Sequence, residues 1–210
     1  MTVPPPLAAP LRTRVASSAA TRRAILAAAE HLLATRGEDG LSIRELCARA
    51  GVTAPTVYHH FGDKQALVER VVNDCFAAFD RALTRRPPPR DPIEALRWGL
   101  DRYLDYGLRH PTHYRLMFQR RAVRPAPAGL AAYDRLRQTV AAVDAVGRLS
   151  APVEDAAAAC WAAVHGVTSL AIAGYLSRKA AAITLVQEAI VTQLVTGAPP
   201  PPRRQGGAPR

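Results

Sequence analysis

LSIRELCARAGVTAPTVYHHFGDKQAL, residues 41–67, is the stretch whose reading decides the fold. Ser42 is placed to cap a helix, Glu45 stands at the position that reaches back to the Ser42 amide, and Leu41 and Leu46 sit where a hydrophobic staple would close. Ile43, Leu46 and Cys47 share one face. Ala50-Gly51 ends this helix, because glycine enters the left-handed C-terminal conformation at little cost. Thr53 then offers an N-cap hydroxyl, and Pro55 falls in the first turn, where its missing N–H leaves no intrahelical bond unmade. The pattern predicts a second helix over roughly 54–60. Two short helices joined by a glycine-containing turn form a helix-turn-helix, whose second helix can lie in a DNA major groove. Thr53, Thr56 and His59 would occupy its exposed face, and the Gly62-Asp63 turn would tuck Phe61 beneath the helices.

Taken with TRRAILAAAEHLLATRGEDGLSIRELCARAG ahead of it, this stretch resembles the DNA-binding domain of TetR-type repressors over about 21–67. The family pattern is matched by Thr53, Thr56, Tyr58, His59, Phe61 and Lys64, the lysine standing at a helix start. The resemblance implies a DNA-facing set of Ser42, Thr53, Pro55, Thr56, Tyr58, His59 and Lys64. In it the Tyr58 hydroxyl would bond a phosphate and its ring would meet a thymine methyl group. Pro55 departs from the glycine or alanine more usual there and so removes a backbone amide from the DNA contacts. The pair His59-His60 is not spaced as metal ligands, since adjacent helical residues point about 100° apart. His59 is therefore assigned to DNA and His60 to structure.

Length and composition set the bounds. At 210 residues there is room for one or two domains with an ample core. The three cysteines, Cys47, Cys75 and Cys160, are odd in number, far apart and in no metal or redox spacing, which suits a reducing cytoplasm and predicts no disulfide. The formal charge is +11, but residues 1–64 carry eight Lys/Arg against five Asp/Glu, while 81–124 carry eleven against four. The larger basic excess thus lies outside the hairpin. Net charge supports general attraction to polyanions, and the assignment to DNA rests on the motif.

Outward from the hairpin, residues 1–20 are proline-rich and read as a disordered arm whose Arg12 and Arg14 could trail into a minor groove, or simply as a solvated tail. A helix is expected to start at Thr21 and to bury Ile25, Ala28, Ala29, Leu32 and Leu33 before Gly37 stops it. Asp63 should cap a helix with Leu67, Val71, Cys75, Phe79 and Leu83 in one stripe. The prolines of RRPPPRDP, 85–92, break the chain. The hairpin domain is assigned to 21–67 and a helical ligand-binding and dimerisation domain to 68–196. Asp91, Pro92 and Glu94 supply cap, first turn and third position of the next helix, which runs to Pro111 with Ile93, Leu96, Leu100, Leu104 and Leu108 inward. Short and long helices follow over about 111–120 and from Leu130 toward Gly147.

Residues 156–176 carry no charged side chain in twenty-one positions, long enough for a membrane span. Their many alanines, with His165, Thr168, Ser169 and two glycines, give a weak insertion signal, so a buried helix and no membrane are expected. Ala158, Ala162, Gly166, Ser169 and Ala173 form a small-residue stripe, Ile183, Val186, Ile190 and Leu194 stripe the next helix, and the two helices would make a dimer face. Trp161, His165 and Gly166 resemble the WHG-type C-terminal domain found with some TetR-type regulators. GAPPPPRRQGGAPR, from 197, reads as a disordered tail.

The expectation is thus an all-α protein of about nine helices that acts as a ligand-responsive repressor. As a cytoplasmic homodimer it would bind double-stranded DNA at a palindromic operator. Trp98, Tyr103, Tyr114, Met117, Phe118, Trp161 and His165 are the candidate lining for a small-molecule effector, mostly apolar with a few polar anchors, although ordinary core packing would use the same residue types. Arg115, Arg120, Arg121 and Arg124 would suit an acidic lipophilic effector such as a fatty acid or its thioester, and a solvated basic loop would look the same. Two rivals stand beside this reading. A nucleoid-type protein would bind DNA without sequence preference, against which the modest charge of residues 1–64 argues. An enzyme or metalloprotein would need chemistry the chain does not spell: there is no GxSxG, HExxH or P-loop, and no cofactor, catalytic group or metal site is assigned.

Overall fold

The structure, a computed structural model, describes residues 11–118, 127–177 and 180–196. Among these the chain is all-α, with nine helices: α1 (Leu11–Arg36), α2 (Ile43–Ala50), α3 (Ala54–Phe61), α4 (Lys64–Thr84), α5 (Pro92–Arg109), α6 (Pro111–Phe118), α7 (Pro127–Ala145), α8 (Val153–Ile172) and α9 (Ala181–Leu194). The extended pairing in the described residues is a single antiparallel bridge, Leu149 to Val195.

The helix stops and starts are set locally. Gly37, Gly51 and Gly62 all take positive φ at helix ends, a region closed to most side chains. Asp63 Oδ1 accepts from the Ala66 amide at 2.7 Å to start α4. Asp91 Oδ1 accepts from the Ile93 and Glu94 amides, both at 2.9 Å, to start α5. One start differs from expectation: α1 begins at Leu11, not Thr21, and so includes Arg12 and Arg14. Residues 11–20 lack proline and glycine and consist largely of residues a helix tolerates, and Pro10 is the last proline before it. The composition of 1–20 taken as a whole concealed that change. Residues 1–10 and 197–210 lie outside the described residues.

The chain divides into two compact units, Met1–Cys75 with Arg115–Arg120, and Phe76–Tyr114 with Arg121–Arg210. The division falls inside α4, neither at 67/68 nor at the proline run, which forms a loop within the second unit. A continuous apolar stripe explains this. Leu67, Val68, Val71, Val72 and Cys75 are buried in the first unit, while further along the same helix Phe79 meets Tyr103 and Tyr106 of the second, edge to face at 5.2 and 5.1 Å.

In the first unit α1 packs on α2 and α2 on α3. Ile25, Ala28, Ala29, Leu32 and Leu33 of α1 are buried as the periodicity requires, together with Leu41, Leu46 and Val57. In the second unit α8 packs on α5, α7 and α9. Its Ala156, Ala157, Cys160 and Val164 join Ile93, Leu96, Leu100, Val140, Val143, Val191 and Leu194 in one cluster. This is the helix long and apolar enough to cross a bilayer, and it is the core helix of its unit. The approach of α5 to α8 is close at one point. A Cβ on Gly107 would lie 2.4 Å from Thr168 Cγ2.

The α9 stripe needs correction. Ile183 and Leu194 are buried and Val186 and Ile190 half-buried, so this face is turned into the second unit and is not free to pair with another chain. The outward face of α9 carries Ala182, Leu185, Ala189 and Thr192, with Leu185 69% exposed, and that of α8 carries Ala158, Ala162 and Ala173. Each of the two helices carries small or apolar residues on more than one face. Packing chose which one goes inside.

Candidate nucleic-acid interface and ligand site

The hairpin has the geometry its sequence spells, with two changes in hydrogen bonding. Ser42 Oγ accepts from the Glu45 amide at 3.5 Å, the long limit for such a bond. The Glu45 carboxylate is taken by the Arg36 guanidinium of α1, tying α2 to the end of that helix. Thr53 does not cap α3 with its side chain. Its hydroxyl pairs with that of Thr56 at 2.9 Å, holding two of the candidate DNA-facing groups together. Pro55 sits in the first turn as expected.

Val57 is fully buried and anchors α3 to its unit, which fixes the opposite face outward. Pro55, Tyr58 and His59 are exposed there, Thr56 is half-buried, and Thr53 is exposed at the N-cap. Tyr58 is 46% exposed, high for an aromatic side chain at the centre of a folded motif. Ser42 is exposed at the start of α2, and Lys64 is half-buried at the start of α4. His60 is half-buried with its ring 5.4 Å from that of His59. Phe61 is also half-buried, and Arg22 of α1 lies over its ring at 5.3 Å, a cation–π contact.

The second unit brings together four of the seven candidate ligand residues. Tyr103 of α5, Tyr114 of α6 and His165 of α8 converge. The Tyr114 hydroxyl lies 2.7 Å from His165 Nδ1, the Tyr103 hydroxyl 3.1 Å from the same nitrogen, and the two hydroxyls are 3.2 Å apart. The Tyr114 and His165 rings stack at 5.5 Å, and Trp161, one turn before His165, has its ring 6.0 Å away. Burial acts on all three polar groups. It raises Tyr103 and Tyr114 above the ordinary tyrosine range and lowers His165 below the ordinary imidazole range, so each is held in its neutral form.

Trp98 is not part of this group. Trp98 is five residues before Tyr103 on α5, hence on another face, and stacks under Arg102 at 5.1 Å. Arg102 in turn donates to the Ala82 carbonyl at 2.6 Å. Met117 and Phe118 end α6, in the segment that belongs with the first unit. Of the arginines noted beside them, Arg115 is exposed, and Arg120, Arg121 and Arg124 lie outside the described residues. Ser169 was missed. Its hydroxyl is 3.4 Å from His165 Nε2, and its position four residues after His165, itself four after Trp161, was the available signal. A second polar pair also went unread. The Tyr106 hydroxyl meets His113 Nδ1 at 2.9 Å, and the His113 ring stacks on His110 at 5.6 Å.

Neither buried cysteine is placed for chemistry. Burial, reinforced by the carboxylates of Glu30 and Asp74, pushes the Cys75 thiol up to about 12, and burial alone pushes Cys160 up to about 11. Both remain thiols at neutral pH, whereas nucleophilic cysteines need the thiolate.

Comparison with known proteins matches the chain over two stretches. Residues 25–71 match the family model of bacterial regulatory proteins, tetR family, and residues 96–194 match the tetracyclin repressor-like C-terminal domain. The second match takes in Trp161, His165 and Gly166. The chain is 33% identical over 92 residues to the HTH-type transcriptional regulator EthR of Mycolicibacterium smegmatis, an alignment covering 42% of each protein. It thus spans about two-fifths of the length of that curated relative. A solved structure of a protein of unknown function from Rhodococcus sp. RHA1 superposes with a TM-score of 0.71 at 27% identity, covering 84% of this chain and 96% of that one. A tetR family transcription regulator structure from Shewanella sp. PV-4 shares the fold, with a TM-score of 0.70 at 19% identity over 84% of this chain and 98% of its own. With both of its units matched by models of one kind, the chain belongs to the TetR family of bacterial regulatory proteins.

Proposed function

We propose that the protein is a ligand-responsive transcriptional regulator acting as a repressor, a cytoplasmic homodimer that binds a palindromic operator through two copies of the α2–α3 hairpin. The observation that carries this reading is the outward face of α3. Buried Val57 orients that helix so that Tyr58, His59 and the coupled hydroxyls of Thr53 and Thr56 face solvent. These groups suit a groove: hydroxyls and an imidazole for base edges, a phenol for phosphate or a thymine methyl. Lys64 and Ser42 flank them as phosphate contacts.

Dimerisation is assigned to the outward faces of α8 and α9, where Ala158, Ala162, Ala173, Ala182, Leu185 and Ala189 offer small and apolar surface to a symmetry mate. Small side chains let the helices approach closely. Effector binding is assigned to the second unit around Tyr103, Tyr114, Trp161 and His165. An effector there releases DNA only in so far as it binds the non-binding state of the dimer more tightly.

The test is a gel-shift titration of the full chain against DNA flanking its own gene and against a scrambled duplex of equal length, across a salt series. A specific regulator retains preference for one duplex as salt rises, whereas a nucleoid-type protein binds both alike with the same salt slope. Equal binding to both duplexes at every salt concentration refutes the operator reading.

A further inference from the structure

Where α9 finishes, the loop between α7 and α8 is joined to it by backbone hydrogen bonds. The Ser150 amide donates to the Leu194 carbonyl at 2.8 Å, and the Thr196 amide donates to the Arg148 carbonyl at 2.9 Å. Arg148 Nε in turn donates to the Thr196 carbonyl at 2.7 Å. The guanidinium is thereby held in place through its inner nitrogen. Its two terminal nitrogens have no partner among the described residues, and together they present the fork that fits a carboxylate.

This fork lines a cavity of about 520 Å³ formed by the start of α5, the α7–α8 loop and the end of α9. The apolar wall is Ile93, Val191 and Val195, at the edge of the core cluster of the second unit. Asp91, Glu94 and Arg97 line it from α5. Arg97 is already satisfied, by Glu94 at 3.1 Å and Glu188 at 3.2 Å. Asp91 is satisfied on one side only. Its Oδ1 accepts from the Ile93 and Glu94 amides, while Oδ2 has no partner among the described residues, Arg148 included. Thr192 adds a hydroxyl that is likewise without a partner among them. The lining carboxylates of Asp91 and Glu94 balance the guanidiniums of Arg97 and Arg148. The cavity therefore favours no net charge, yet it holds one open cation and one open anion apart over an aliphatic floor.

We propose that this cavity binds a free amino acid with a branched aliphatic side chain. The carboxylate takes the terminal nitrogens of Arg148 and the Thr192 hydroxyl, the ammonium donates to Asp91 Oδ2, and the side chain packs on Ile93, Val191 and Val195. Such a molecule is neutral overall at neutral pH and carries both charges, so one occupant satisfies both open groups. A ligand with a second carboxylate would meet Glu94, and one with a second ammonium would meet Arg97 and Arg148. Because Arg148 is fixed before the ligand arrives, little side-chain freedom is lost on binding. The site is separate from the Tyr103, Tyr114 and His165 group, and its binding does not rest on the regulator reading.

The experiment is calorimetric titration of the full chain at about pH 7 and low ionic strength, where partly exposed charges are least screened. The probes are L-leucine, isocaproate, which is leucine without the ammonium, and isoamylammonium, which is leucine without the carboxylate. Leucine should bind, with each single ion roughly fivefold or more weaker, the scale of one charge-assisted hydrogen bond partly open to water. Glycine, which lacks the side chain, should bind more weakly than leucine. Asp91→Asn keeps an N-cap acceptor for α5; it should weaken leucine and leave isocaproate unchanged, a split that mere loosening of the helix start would not give. Thr192→Val and Arg148→Gln should weaken leucine and isocaproate alike, Arg148→Gln the more. Asp91→Asn and the probe series keep the test decisive if Arg148→Gln frees the end of α9. The assignment is overturned if leucine does not bind, if isocaproate or isoamylammonium binds as tightly as leucine, or if Asp91→Asn leaves leucine unaffected or weakens both ligands equally.

Discussion

Replacing Gly107 by alanine tests the packing that holds α5 against α8 and so brings Tyr103 to His165. In an isolated helix this change would stabilise by roughly 0.5–1 kcal/mol, because glycine loses more backbone freedom on folding. Here the new methyl group would meet Thr168 Cγ2 at 2.4 Å and Tyr114 Cδ2 at 3.0 Å. Thr168 is completely buried, and its hydroxyl is committed to the Val164 carbonyl at 2.6 Å, so it cannot rotate its methyl away without leaving that bond. Overpacking of this kind costs about 1–3 kcal/mol. At the middle of the two ranges the cost exceeds the gain by about 1 kcal/mol, or roughly 2–4 °C in Tm for a chain of this size. Thermal and urea unfolding at one fixed protein concentration would measure it, since dimerisation links stability to concentration. Thr168→Ser supplies the control, because it deletes the methyl and keeps the hydroxyl bond. In the double variant the clash is relieved, and the cycle should show a favourable coupling of about 1 kcal/mol or more. A neutral or stabilising Gly107→Ala, or a double variant whose two effects simply add, refutes the close approach.

The remaining predictions concern the other surfaces. Tyr58→Ala and Lys64→Ala should each weaken operator binding, with Lys64 acting on all sequences alike and lowering the salt slope by about one, while Thr56→Ala and His59→Ala should change which bases are preferred, at about 1–3 kcal/mol for a good contact; four variants that shift the operator like the parent would remove the hairpin from its role. Gly166→Leu meets nothing within 4 Å of a new Cβ in the protomer, so it should leave the monomer fold intact by circular dichroism and raise the dimer dissociation constant in sedimentation; an unchanged dimer would exclude this face of α8. For His165 the sign runs from its lowered folded pKa: the folded state resists the proton that the unfolded chain accepts near an ordinary value of about 6.5, so its stabilisation is full above that pH and is lost on acidification through the folded pKa. Urea midpoints for His165→Gln should therefore fall less steeply than the parent's below about pH 6.5, and parallel curves would show that the imidazole is not held neutral.

What was legible in the sequence is what depends on residues within about one helical turn of each other. The cap at Asp91, the glycine stops at 37, 51 and 62, the buried stripe from Ile25 to Leu33 and the order of nine helices follow from contacts between residue i and its neighbours up to i+4. The hairpin was legible for the same reason, and the order of its residues carried the family resemblance. Long-range choices were not legible. Glu45 had a local partner in the Ser42 amide, and only packing supplied Arg36. The stripe of α4 is uninterrupted, so nothing local marks Cys75–Phe76 as the division between units. Both faces of α9 are apolar or small enough to be buried, and the outcome depends on what α8 presents to it. The polar group of the second unit joins residues 62 positions apart, Tyr103 to His165, and leaves out Trp98, only five positions from Tyr103. A set of aromatic residues in the sequence therefore named candidates for a site, and the crossing of α5, α6 and α8 decided which of them meet. Local hydrogen-bonding rules fix where helices begin and end, whereas the pairing of their faces is a competition among all the apolar surface in the fold, and that is settled only when the helices pack.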